Sequence, residues 1–164
     1  MRKFPFALIL ALLAGAPAHA EEALITFKSM NVDLALALAR AALADCQKRG
    51  YQVSVAVVDR SGITQVLLRD RFAGAHTVTA ATGKAWTAVS FRTNTGELVA
   101  ATQPGSPQAG VRALPGAIVI AGGVMVEAAG TLVGAIGVSG APGGENDEAC
   151  AKAGITAVHD KLDF

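Results

Sequence analysis

"QVSVAVVDRSGITQVLLRD", residues 52–70, is the stretch that decides the fold. Its halves, 52–59 and 63–70, are rich in Val, Ile and Leu and read as two strands. Arg60-Ser61-Gly62 between them is a short turn, with glycine where a positive φ is wanted. Strands joined so closely pair antiparallel, because a parallel pair needs a long crossover.

Outward from this hairpin, "AIVIA" (117–121), "VMVEA" (124–128) and "TLVGAIGVS" (131–139) read as three further strands. Gly122-Gly123 and Ala129-Gly130 separate them. Helices fill the gaps. Asn31 to Arg49 is rich in Ala and Leu, with Asn31 as N-cap and Gly50 as a stop. A second helix runs from about Thr77 to Phe91, and a third from the capping-box spacing of Asn94 and Glu97 to about Thr102. "QPGSPQAG" (103–110) and "GAPGGEND" (140–147) are loops, and Asp147 to Leu162 closes the chain as a helix. The order α-β-β-α-α-β-β-β-α predicts an α+β fold: a largely antiparallel five-stranded sheet flanked by helices.

The first twenty residues read as an address. Arg2 and Lys3 form a basic head, "FALILALLAG" an apolar core too short to span a bilayer, and Ala18-His19-Ala20 a cleavage signal. The expectation is a signal peptide over 1–20 and one domain over 21–164, in the periplasm or secreted, with no membrane span after cleavage. Without Arg2 and Lys3 the formal charge passes from slightly positive to slightly negative, and no basic stripe remains for a nucleic acid. Cys46 and Cys150 lie on the first and last domain helices; they are either a disulfide or two buried thiols.

Few residues carry chemistry. His76 and His159 are the histidines after residue 20, and no C-x-x-C or H-x-x-x-H pair offers a structural zinc site. There is no G-x-S-x-G elbow. Gly140 to Gly144 leads into a helix start, but Glu145, Asp147 and Glu148 crowd that turn and oppose an anion. The remaining candidate is "AGAHTVTAATGKAWTAVSF" (73–91). At about 100° per residue, His76, Ala80, Gly83, Lys84, Thr87 and Phe91 fall on one broad face, opposite Val78, Ala81, Ala85 and Val89. If that face is outward, an imidazole and a cation flank a stretch with little bulk. That suits either a flat ligand or an ordinary solvated helix.

"VSVAVVDRSGITQVLLRDRFAGAHTVTAATGKAWTAVSFRT" followed by "LPGAIVIAGGVMVEAAGTLVGAIGVSGAPGGENDEACAKAG" resembles the GlcG/HbpS-type haem-binding family of small, often secreted domains. The distinctive parts are the "VVDRSG" turn, the "KAWTA" helix and the "GAIGVSG…D…CAKAG" end. The resemblance spans essentially the whole chain after the signal. It implies a profilin-like or PAS-like sheet flanked by helices, haem or another tetrapyrrole as ligand, and homo-oligomeric assembly. Many relatives with the His-Thr pair carry proline where this chain has Ala75. His76 and Thr87 both stand in matched segments.

Haem binding sets a requirement. Burying about 300 Å² of porphyrin at about 25 cal/mol per Å² gains about 7 kcal/mol. Association costs at least about 4 kcal/mol. Apolar contact alone therefore gives no better than about millimolar affinity. Iron ligation by His76, and pairing of the propionates with Lys84, Arg69 or Arg71, would supply the rest. The sequence reading is a haem carrier, scavenger or sensor rather than an enzyme. Its rivals are an enzyme using His76 as base and Lys84 or an arginine to hold a carboxylated metabolite, and an accessory subunit without a small ligand.

Overall fold

The computed structural model describes residues 25–163. The signal segment expected over residues 1–20 lies outside them. Helix α1 spans Val32–Lys48, and Asn31 caps it by accepting the Leu34 N–H at 2.9 Å. Strands β1 (Ser54–Asp59) and β2 (Thr64–Arg69) form the expected hairpin, with Val55 opposite Leu68. One Asp59 carboxylate oxygen accepts the N–H groups of Ser61 and Ile63, at 2.8 and 3.0 Å. The "VVDRSG" turn is thus closed by its own aspartate.

Helices α2 (His76–Phe91) and α3 (Thr95–Ala101) follow, then β3 (Gly123–Ala128), β4 (Thr131–Ser139) and α4 (Gly144–Ala157). Two short 3₁₀ helices lie at Ala109–Ala113 and His159–Lys161. The sheet is antiparallel throughout in the order β2-β1-β4-β3, with Val57 and Val124 both opposite Ile136.

The α+β class stands, but among the described residues the sheet has four strands, not five. Ala117–Ala121 is an irregular strap that lays Ile118 on Gly83 of α2 instead of joining the sheet. Its Ile118 N–H donates to the Thr87 hydroxyl at 2.8 Å, where a fifth strand would have used a neighbour's carbonyl. The Asn94 capping box also differs. Its amide donates to Glu97 at 2.9 Å, while its carbonyl accepts the Met125 N–H of β3 at 3.0 Å. Asn94 therefore ties α3 to a sheet edge rather than capping its own helix. Helix α4 begins at Gly144, three residues before the expected Asp147.

Three layers result. Helices α1 and α4 cover one face of the sheet, where Val55, Val57, Val126, Ile136 and Val138 form the larger core. They are joined by a Cys46–Cys150 disulfide with Cα atoms 5.4 Å apart. Helix α2 covers the other face, through Ala85, Ala88 and Val89 against Val58 and Ala135. Here backbone meets backbone. A Cβ added at Gly137 would stand 2.1 Å from the Ala81 carbonyl oxygen, and one at Gly123 would stand 2.3 Å from that of Lys84. The small residues of α2 together with Gly123 of β3 and Gly137 of β4 allow the close approach of helix to sheet.

Candidate functional site

The rotation of α2 decides what it offers. Thr77, Ala81, Lys84, Ala85, Thr87 and Ala88 are buried. Val78, Thr79, Thr82, Gly83 and Trp86 instead line an open groove, whose other wall is Pro115, Gly116, Ala117 and Ile118. The groove holds about 630 Å³. At about 100° per residue, this open side is turned about a third of a revolution from the face expected from sequence. Gly83 alone belongs to both.

Lys84 is the largest correction. The sequence reading puts it outward, yet it is 2% exposed. Its Nζ donates to Asp147 Oδ2 at 2.7 Å and to the Val138 carbonyl at 3.0 Å. Asp147 accepts the Ala141 N–H on its other oxygen at 2.9 Å. So Asp147 is not part of a solvated acidic turn at the start of α4. Burial pushes its carboxyl above the usual carboxylate range, against the pull of Lys84 and of backbone N–H groups from Ala141 and Gly140. Thr87 is likewise inward. Its hydroxyl donates to the Gly83 carbonyl at 2.7 Å and receives Ile118 N–H, so it fastens the strap to the helix.

His76 is exposed at the first position of α2, one turn before Thr79 and two before Gly83. Its ring folds back over Gly74, where a Cβ would meet the ring's Cε1 at 2.7 Å. Ala75 holds φ −58°, a value proline also takes, so the loop keeps the path a proline would impose. Arg69 is exposed and donates to the Ala73 carbonyl, bracing that loop. Arg71 is exposed with its guanidinium 5.4 Å from the centre of the Phe72 ring. The structure therefore gathers His76, Arg69 and Arg71 around one loop and separates Lys84 and Thr87 from them by burial.

At the far end stands Trp86, the only tryptophan of the chain. Its indole packs against the β1–β2 turn, where a Gly62 Cβ would lie 2.9 Å from Cδ1. From His76 to Trp86 the helix rises about 15 Å. The middle is kept bare by Gly83, over which Ile118 rests; a Cβ there would come within 2.5 Å of Ile118 Cδ1. Trp86 and Ile118 were missed from sequence. The available signal was the proline and glycine of "LPGAI", which mark a strap rather than a strand. Among the described residues no group of three His, Cys, Asp or Glu is placed to hold a metal, and no helix is long and apolar enough to cross a membrane.

This geometry has relatives. The curated proteins matched include the corrinoid adenosyltransferases PduO of Citrobacter freundii, 34% identical over 124 residues, and of Salmonella typhimurium, 36% identical. Each match takes in 74% of this chain but only 37% of the relative, so the chain spans just over a third of those proteins. Among solved structures, a double mutant of Streptomyces reticuli HbpS superposes with a TM-score of 0.78 at 38% identity, covering 94% of this chain and 99% of that one. Klebsiella pneumoniae ORFY gives 0.80 at 27%, over 84% and 95%. A structure described as a PduOC:heme complex gives 0.73 at 30%, over 79% and 94%. Residues 30–156 match the family model described as "Haem degrading protein HbpS-like", and the chain belongs to that HbpS-like family.

Proposed function

We propose that this chain binds haem in the groove between α2 and the 115–118 strap. The observation that carries the reading is the groove itself: an apolar slot walled by α2 and the strap, with exposed His76 at the start of the same helix, outside the lining. The haem complex of a relative 30% identical supports it. The residues fit in kind. Trp86, Ile118 and Val78 offer apolar contact, His76 a nitrogen ligand, and Arg71 a cation for a propionate. Arg69 holds the loop that carries His76. When bound, haem supplies an iron centre that takes an imidazole ligand; the chain's own part is to bind, orient and shield its faces.

The metabolite-enzyme reading loses Lys84, which faces Asp147 instead, and would rest on His76 with an arginine alone. A second reading, degradation of the bound haem, is favoured by the family's description. The two separate in one experiment. Protein purified from haem-replete cells should show a Soret band that persists under reductant and air if the chain carries haem, and one that decays if it degrades haem. A colourless protein that stays inert to added hemin would refute both.

We also infer export on the segment 1–20 and assembly with further copies of the chain. The Cys46–Cys150 disulfide suits an oxidising compartment and supports the first inference. N-terminal sequencing of the exported protein, beginning near Glu21, and light scattering of the purified material test the two.

A further inference from the structure

We infer that the buried Lys84–Asp147 pair is a positioning element that fixes the rotation of α2, and so decides which residues the helix presents to the groove. The sheet-facing side of this helix is smooth. It consists of Thr77, Ala81, Ala85, Ala88 and, near its end, Val89, mostly small residues set on a floor that includes Gly137 and Gly123. Ridges of large side chains normally lock a helix into the grooves of its neighbour. Alanine on glycine offers almost no ridge, so apolar contact discriminates poorly between one rotation of α2 and another.

Lys84 supplies what the alanines do not. Its charged amine is directional, and its acceptors come from two other elements: the Val138 carbonyl of β4 and the Asp147 carboxylate of α4. Gly122 makes room for the pair, since a Cβ there would lie 2.7 Å from Asp147 Cβ and 2.9 Å from Lys84 Nζ. The same glycine ends the strap, and its carbonyl accepts the Val138 N–H at 2.9 Å. The pair therefore joins α2, β4, α4 and the root of the strap at one point. Residue 84 being pinned inward, its neighbour Gly83 is turned about 100° away, under Ile118. A register role is the best-attested use of a buried ion pair, because its desolvation offsets much of its attraction and it adds little net stability.

The ligand arm of the test rests on the haem reading; the tryptophan arm does not. Lys84→Met/Asp147→Leu replaces the pair with apolar residues of similar volume. The expected result is a Tm equal to or above that of the parent, with a shifted Trp86 emission maximum, stronger acrylamide quenching, and hemin affinity reduced at least tenfold. Unchanged Trp86 emission and quenching at retained Tm would overturn the inference, whatever hemin does. Should the double variant fail to fold, Asp147→Asn keeps the shape and removes the charge. Increased Trp86 quenching in that variant supports the positioning role, and parental quenching overturns it. A parent that binds no hemin sinks the haem reading and leaves the fluorescence comparison intact.

Discussion

Gly83 and Ile118 meet across the groove so closely that a single added methyl would stand 2.5 Å from the isoleucine's Cδ1. The helix has no side chain at this point and the strap leans into the space. The contact is with the far end of a flexible side chain, so the two are adjustable partners rather than a fixed wall.

Gly83→Ala should therefore act on the groove more than on the fold. Alanine gains about 1 kcal/mol of helix propensity over glycine, against about 1–3 kcal/mol for overpacking. The expected outcome is a Tm lowered by a few degrees at most, with hemin affinity reduced several-fold as Ile118 is forced into the slot. Adding Ile118→Ala should restore affinity. Calorimetric melting with hemin titration checks both variants; a fall in Tm without a change in affinity would separate Gly83 from the site.

Gly137→Ala should behave differently, because its new methyl meets backbone. The Ala81 carbonyl oxygen would lie at 2.1 Å and the Ala85 nitrogen at 2.7 Å, and neither moves without moving α2. We expect a loss of about 3 kcal/mol or more, read as a drop in Tm of about 10 °C. A variant as stable as the parent would contradict the helix-on-sheet contact.

These two glycines mark where the sequence was legible and where it was not. The β1–β2 hairpin, the span Thr131–Ser139 and the Asn31 cap of α1 followed from local patterns of alternation, turn and cap. Helix α2 was found but its rotation was not. Periodicity reads a helix by contrast between bulky apolar and polar positions, and α2 has little contrast to read. Its inner face includes a lysine and two threonines, whose partners across the fold lie far away in sequence: Asp147 for Lys84, Ile118 for Thr87 and Ser54 for Thr77. Ala117–Ala121 failed for a related reason. Its apolar run satisfies a strand pattern, but Ile118 packs on Gly83 and its N–H finds a hydroxyl.

Asp147 gives a pH dependence whose sign is fixed by the direction of its shift. Its carboxyl is raised in the folded protein above the ordinary value of 3.8. Its favourable contribution is thus fully present below that value and is lost as pH climbs through the folded value. The stability of the parent relative to Lys84→Met/Asp147→Leu should therefore decline as pH rises from below 3.8 toward neutrality. Urea denaturation of both proteins at matched pH values checks this; a relative stability that rises over the same interval would reverse the assignment.

The disulfide closes a loop with a sequence separation of 104 residues. Chain entropy assigns such a loop about 4.7 kcal/mol. Replacing both cysteines by alanine, or reducing the bond, should lower Tm by about 10 °C or more. Thermal melts with and without reductant test the size of the effect. Identical melts, with thiol titration confirming reduction, would leave α1 and α4 held by packing alone.

The central claim is that a flat iron pigment rests in the α2 groove with His76 on its metal. Hemin titration of the mature protein, parent beside His76→Ala and followed at the Soret band, tests it most directly. The expected result is saturable binding by the parent, with at least tenfold weaker binding and a changed Soret position in the variant. Equal affinity and identical spectra would contradict the ligand assignment, and a parent that never saturates would contradict the function.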